Sequence, residues 1–233
     1  MLIFLVAIAP AAALIIYFYK KDKYEKEPLK LLGKAFFAGV AATFFAMFIG
    51  GLLLPFVSSI NMPALRIFFI SFLVAGLVEE GFKFSALRLI IYNNEEFNEP
   101  YDGILYSVMV SLGFAALENI LYVMSAYFKL GFLGLAQVGI SRALFAVPAH
   151  ALFGVIMGYY LGLAKFSKDK TLERKYMYQG LGLAVLLHGL YDFFVFTSTV
   201  LGVVYVIVLL IICWNFSLKA MKAHLQESPF KRD

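Results

Sequence analysis

The run I-F-F-I-S-F-L-V-A-G-L-V-E-E-G-F-K-F-S-A-L-R-L-I-I-Y, residues 67–92, decides how the rest of the chain is read. It is long and apolar enough to cross a bilayer, which takes about 20 such residues in an α-helix. Yet Glu79, Glu80 and Lys83 stand near its middle. A charged side chain at the bilayer centre costs about 2.5–3.5 kcal/mol on insertion scales. Something elsewhere in the chain must offset that cost.

The composition supports a membrane reading. Of 233 residues, 62% are hydrophobic and only 15% charged, and the mean hydropathy is +0.85. A soluble domain is about 45–50% apolar and about 25% charged. No long polar stretch divides the chain, so a single integral membrane domain over 1–233 is expected. The net charge of +5 sits in short basic runs beside apolar segments. That is the pattern of topology signals, not of a phosphate-binding face, so no nucleic-acid partner is expected. The single Cys213 excludes an intrachain disulfide and a thiolate metal cage.

Seven spans follow, at about 1–19, 33–56, 64–92, 103–128, 136–164, 177–197 and 199–217, with a polar tail over 218–233. The fold class is all-α, a polytopic transmembrane helical bundle, because the runs are too long for strands of a closed barrel. The first segment lacks the basic start of a signal peptide and reads as an uncleaved span. Gly154 and Gly158 have the small-xxx-small spacing of close helix packing. Lysines and arginines crowd 20–34, 165–176 and the tail. With seven spans these lie on one side, which puts the N-terminus outside and the C-terminus in the cytoplasm. The stretch from Lys219 reads as a short interfacial helix with His224 solvated.

The ionisable residues deep in the spans fall in four of them. The third carries Glu79, Glu80 and Lys83, the fourth Glu118 beside Asn119, the fifth Arg142 and His150, the sixth His188 and Asp192. Glu79, Glu80, Glu118, His150 and His188 each lie within about three residues of a span midpoint. At 1.5 Å per residue they share one plane to roughly 5 Å. Glu79 and Lys83 are spaced i, i+4, the favourable order for an ion pair. His188 and Asp192 have the same spacing, which lets a carboxylate orient an imidazole or both hold one metal ion. Each pair alone could be structural, but four helices meeting at one depth point to one shared polar site. Two imidazoles and several carboxylates make a metal shell or a water-activating site. Arg142 and Asn119 are candidate oxyanion contacts. The same residues could serve an ion- or proton-coupled transporter, although no inverted repeat is visible. A non-catalytic scaffold is the third class.

These residues also carry a resemblance. E-E-G-F-K (79–83) is similar to the E-E-x-x-K motif of the PrsW family of intramembrane proteases. F-A-A-L-E-N (114–119) resembles its F-x-x-x-E-N motif. R-A-L-F-A-V-P-A-H-A-L-F-G (142–154) resembles its arginine-to-histidine stretch, and H-G-L-Y-D (188–192) its H-x-x-x-D motif. The four stand in family order over residues 76–195. The resemblance implies a bacterial plasma-membrane protease with a core at 64–197. It further implies a first, extracellular-side cut in a membrane-anchored anti-sigma factor during envelope stress. The family is classed with metalloproteases, while some members of the wider superfamily of CAAX-processing proteases and immunity proteins use a Glu/His-activated water without metal. Carried over, Glu118, His150 and His188 are expected to hold Zn²⁺ or position the water. Glu79 or Glu80, with Glu80 favoured, is expected to act as the base, and Lys83 to neutralise Glu79. Asp192 is expected to orient His188, with Asn119 or Arg142 steadying the oxyanion. Oligomeric state is left open.

Overall fold

A computed structural model describes residues 2–231. Met1, counted above in the first span, and Arg232 and Asp233 of the tail lie outside the described residues. Those described form a helical bundle: α1 (Leu2–Lys21), α2 (Leu29–Ser58), α3 (Pro63–Phe69), a π-helical segment π1 (Ile70–Glu79), α4 (Glu80–Ile90), α5 (Pro100–Ser141), a second π-helical segment π2 (Arg142–Ala146), α6 (Val147–Lys165), α7 (Lys170–Phe196) and α8 (Val200–Gln226). In a bilayer every backbone N–H and C=O must be satisfied within the segment, and helices do this.

By length and composition alone, five helical stretches among the described residues could cross a membrane. The expected count of about seven is recovered from two details. The 66-residue stretch from Pro100 to Lys165 breaks at Gly131, whose φ of 61° and ψ of −144° leave the helical region. Glycine takes that conformation without steric cost. The chain doubles back there, so that Gly134 lies against Ala126, Arg142 against Glu118 and Gly158 against Gly103. The stretch from Pro63 to Ile90 is one rod of α, π and α turns.

The α5–α6 hairpin is the core. Residues 100–116 are all buried, as is nearly every residue from Val147 to Gly158. Small residues let its two arms meet: a Cβ on Gly158 would stand 2.3 Å from the carbonyl oxygen of Gly103. The small-xxx-small spacing therefore does packing. On the other face α2 closes on α5 in the same way, since a Cβ on Gly39 would lie 1.9 Å from the Val110 oxygen. Helix α7 packs on α6 and π1, and α8 on α6.

Both π segments end at polar residues of interest, π1 at Glu79 and π2 opening at Arg142. A π turn widens the helix by one residue and is frequent at functional positions. For π2 a cause lies in the sequence: Pro148 has no N–H to give to the preceding turn.

The last helix corrects an expectation. It runs without a break to Gln226, past the expected end at 217, instead of yielding to a separate interfacial helix. His224 is not solvated but 1% exposed, with its ring stacked 4.5 Å from that of Tyr159. Cys213 is packed.

Candidate active site

The four polar spans bring their ionisable residues into one connected cluster, as their common depth predicts. Glu80 and Lys83 lie one turn apart on α4. The Lys83 Nζ is 2.6 Å from Glu80 Oε1 and 3.8 Å from Glu79 Oε2. The expected partner of Lys83 was Glu79; its close partner is Glu80. The reason is tertiary. His188 of α7 donates from Nδ1 to the same Glu80 oxygen at 2.7 Å, so Glu80 is fixed between two donors. Neither Glu80 nor Lys83 has exposed surface.

From Lys83 the network continues into the hairpin. Its ammonium donates to His150 Nδ1 at 3.0 Å and lies 4.2 Å from the centre of the Phe114 ring. A neutral His150 that accepts at Nδ1 carries its proton on Nε2. That nitrogen is 3.0 Å from Glu118 Oε2. Arg142 donates to the same oxygen at 2.7 Å and, through Nε, to Asn119 Oδ1 at 2.7 Å. Asn119 in turn donates to the backbone oxygen of Ala7 at 2.6 Å. Its amide is thus spent holding Arg142 and α1, and Asn119 is a positioning residue. Sequence reasoning found no role for α1; one backbone carbonyl carries no sequence signal.

On the α7 side the ring of His188 stands 5.1 Å from that of His150, edge to face, and packs on Phe153 at 5.6 Å. With Nδ1 committed to Glu80, its Nε2 points to Asp192 Oδ2 at 3.6 Å and Glu79 Oε2 at 3.9 Å. These are too long for direct hydrogen bonds. The carboxylate that fixes His188 is Glu80, where the i, i+4 spacing had pointed to Asp192. The packing roles of Phe114 and Phe153, which stand inside the quoted motif stretches, and Tyr122, whose ring lies under Arg142, were missed; aromatic residues are too common in this chain to stand out.

Two cavities meet at this cluster, and Glu79 and Glu118 line both. One, of about 480 Å³, is also lined by Arg142, His150, His188 and Asp192 and extends towards Gln137 and Phe196. The other, of about 440 Å³, lies between α2, π1 and α5. Glu79 Oε2 is buried without a hydrogen-bond partner.

The donor set fits a metal ion. Glu79, His150 and His188 each offer one ligand atom, all within 4.8 Å of one another. This geometric set contains Glu79 where the sequence expectation has Glu118. Glu118 is instead held by Arg142 and His150. Charge balance agrees. The carboxylates of Glu79, Glu80, Glu118 and Asp192, set against Lys83 and Arg142, leave an excess of two negative charges when all are ionised. A dication or two protons would cancel it. For His150 to serve through Nε2, the proton on that nitrogen must first leave.

The chain matches the model of a family described as PrsW family intramembrane metalloprotease over residues 27–216. It is 41% identical to Protease PrsW of Bacillus subtilis (strain 168) over 215 residues, 92% of each chain. It is 35% identical to Protease PrsW of Clostridioides difficile (strain 630), over 97% of this chain and 92% of that one. It is 44% identical to Protease PrsW of Geobacillus kaustophilus (strain HTA426), over 79% of this chain and 76% of that one. No solved structure matches it. Sequence, fold and the clustered carboxylates and imidazoles agree: this multi-pass membrane chain belongs to the PrsW family of intramembrane metalloproteases.

Proposed function

We propose that the protein hydrolyses a peptide bond in a membrane-anchored regulatory protein, of the anti-sigma-factor kind, with Glu79, His150 and His188 holding Zn²⁺. The observation that carries the reading is that one carboxylate and two imidazoles from three spans converge within 4.8 Å on a cavity inside the bundle. When bound, the ion would polarise the scissile carbonyl and lower the pKa of water.

The chain's own residues supply the rest. Glu80 holds His188 through Nδ1 and thereby leaves Nε2 facing the cavity. Lys83 neutralises Glu80 and buttresses His150. Glu118 lines both cavities next to His150, so it is the carboxylate best set to take the proton of the attacking water and return it to the leaving amine. Asp192 lines the same cavity and is the second acceptor there. Arg142 is the cation that lines the cavity, so the oxyanion contact falls to it. Relative to the sequence expectation, Glu79 takes the ligand role given there to Glu118. The base moves from Glu80 to Glu118, because Glu80 is sealed between Lys83 and His188.

The N-terminus is proposed outside and the C-terminus in the cytoplasm of a bacterial plasma membrane. In support, the basic segments meet at one end: Lys165 donates to the Tyr92 oxygen, Tyr106 reaches Glu27, and Ser228 reaches Glu99. The cavity lined by Arg142 then leads towards the outer end. One observation favours a second mechanism. While Lys83 donates to His150 Nδ1, the His150 Nε2 proton points at Glu118, which suits a metal-free water held between Glu118 and Glu79.

The test is full-length protein in liposomes with an anti-sigma-factor-like reporter. Cleavage that persists in Glu79→Gln and His188→Ala overturns the site. Elemental analysis separates the mechanisms: one zinc per active chain, lost in His150→Ala, supports the metal, and an active zinc-free protein supports the second reading. A pH gradient or ion flux without any cleavage would favour a transporter.

A further inference from the structure

We infer that the substrate's apolar segment reaches the cluster sideways from the lipid, through the cleft between α2 and α5, and that the Met47–Gly50–Gly51 face of α2 selects the side chain next to the cut bond. This rests on the protease reading above.

The glycines of α2 carry the argument. Gly39 is needed for packing, since no Cβ fits between it and Val110. Gly51 is different: a Cβ there would meet nothing within 4 Å, and at Gly50 it would meet only the Val74 side chain, at 3.2 Å. A glycine inside a helix weakens it. Gly51 offers no packing in return; it is exposed, as are Met47 and Leu54 on the same face, and it leaves open space at the mouth of the cleft. That space is the 440 Å³ cavity, within the roughly 300–1,000 Å³ of ordinary ligand clefts.

The cleft has a built shape. Thr43, Ala46, Met47, Gly50, Gly51 and Leu54 follow one another at helical spacing along one face of α2. The neighbouring residues Phe44, Phe48 and Leu52 are exposed on the outer side of the same helix. The lower halves of α2 and α5 touch backbone to backbone, with Gly113 against Phe36, while beside Gly51 they stand apart. Charged residues appear only at the inner end of the cleft, as Glu79 and Glu118, where the polar cavity begins. A chain passing from the first cavity to the second crosses the catalytic cluster, with an apolar residue behind it and a polar outlet ahead. That continuity selects a polypeptide span over a lipid tail as the occupant.

The experiment uses full-length protein in phosphatidylethanolamine–phosphatidylglycerol liposomes. The substrates are single-span reporters in which Ala, Leu or Phe is moved along the span. Gly51→Leu should lower the ratio of Phe-reporter to Ala-reporter cleavage about tenfold, within the range a filled pocket gives. Gly33→Leu, also in open space on α2 but far from the cluster, should leave the ratio unchanged. In the Glu79→Gln protein, p-benzoylphenylalanine at Met47 should crosslink to the reporter span, and at Phe37 should not. An unchanged ratio in Gly51→Leu, or a Met47 crosslink to lipid alone, overturns the inference while leaving the protease reading intact. A Met47 crosslink to the span without cleavage of any reporter by the wild type overturns the protease reading and leaves the docking site. Neither crosslink nor cleavage overturns both.

Discussion

The bundle buries two groups of carboxylates, and they are built differently. The central group, Glu79, Glu80, Glu118 and Asp192, is met by Lys83, Arg142 and two imidazoles and opens on two cavities. The second, Asp22, Glu27, Glu99 and Asp102, lies where the loops before α2 and α5 meet, and each member is 1% exposed or less. Its partners are neutral. Tyr106 donates to Glu27, Ser228 donates to Glu99, and the backbone N–H groups of Asn98 and Glu99 donate to Asp102. The nearby Lys26 spends its hydrogen bonds on the backbone oxygens of Tyr19 and Asp22. No cavity described above reaches it. A buried acid met by fixed cations and open space is equipped for chemistry. One met by hydroxyls and backbone N–H groups ties loops together, and burial raises the pKa of its members. Glu27 is pushed up to about 10 by burial and by the Asp102 charge, and Asp22 to about 7 by burial.

The comparison breaks first at activity. Glu79→Gln and His188→Ala should each reduce cleavage by about 10³-fold or more, as losses of groups acting at the reacting atoms do. Glu27→Gln should leave the rate within about twofold. A large loss in Glu27→Gln, read in the same liposome assay, would make both groups catalytic and end the distinction.

Next comes stability. Lys83→Met leaves Glu80 buried with only His188 beside it. Removing one partner of a buried pair costs about 3–5 kcal/mol. The double substitution Lys83→Met with Glu80→Gln should recover most of that loss, measured by thermal unfolding in detergent. Additive losses would mean that Lys83 and Glu80 are not coupled.

Much of this was legible in the sequence because charges are rare in membrane spans, so each one inside a span carries information. The four polar spans and the convergence of their ionisable residues follow from that. Pairings inside the site do not. The spacing of Glu79 and Lys83 is a local signal, whereas His188 arrives from another helix and draws Glu80 into the pair. The tie from Asn119 to Ala7 is a side chain on a backbone oxygen, which any residue at position 7 would supply. Composition also gives no sign of the loop group. N-N-E-E-F-N-E-P-Y-D, residues 93–102, is a short acidic loop, and within it Glu99 and Asp102 are fully buried. Their burial depends on Ser228 and the loop over 22–28, distant in sequence. His224 hides for the same reason.

Asn119→Ala tests the smaller contacts of the central group. It removes the acceptor of Arg142 Nε and the tie to α1. A loss of about 1–3 kcal/mol in unfolding is expected for buried hydrogen-bonding groups left unsatisfied. Cleavage should fall about tenfold as Arg142 loses its orientation. Asn119→Asp, which keeps the acceptor, should recover more activity than Asn119→Ala; equal activities would mean that Asn119 acts only through packing.

The smallest effect is the pH response of the loop group, and its sign follows from the raised values. An acid whose pKa is higher folded than unfolded holds a proton in the folded chain that the unfolded chain has released. Its stabilising contribution is complete below the ordinary carboxylate value of about 4 and is lost as pH rises through the folded value. For Asp22 that loss is spent by about pH 7, and for Glu27 it continues to about pH 10. The unfolding temperature of the wild type in detergent should therefore fall as pH rises from 6 to 9. The expected slope is a few degrees per pH unit, since one extra bound proton is worth about 1.4 kcal/mol per pH unit and about 1 kcal/mol moves a chain of this size roughly 2–4 °C. Glu27→Gln keeps an acceptor for Tyr106 and cannot ionise, so it should flatten the upper part of the slope. Asp22→Asn should flatten only the part below about pH 7. A wild-type curve that stays flat over this range would mean that the loop carboxylates are ionised and balanced. The two acid groups would then differ in depth alone.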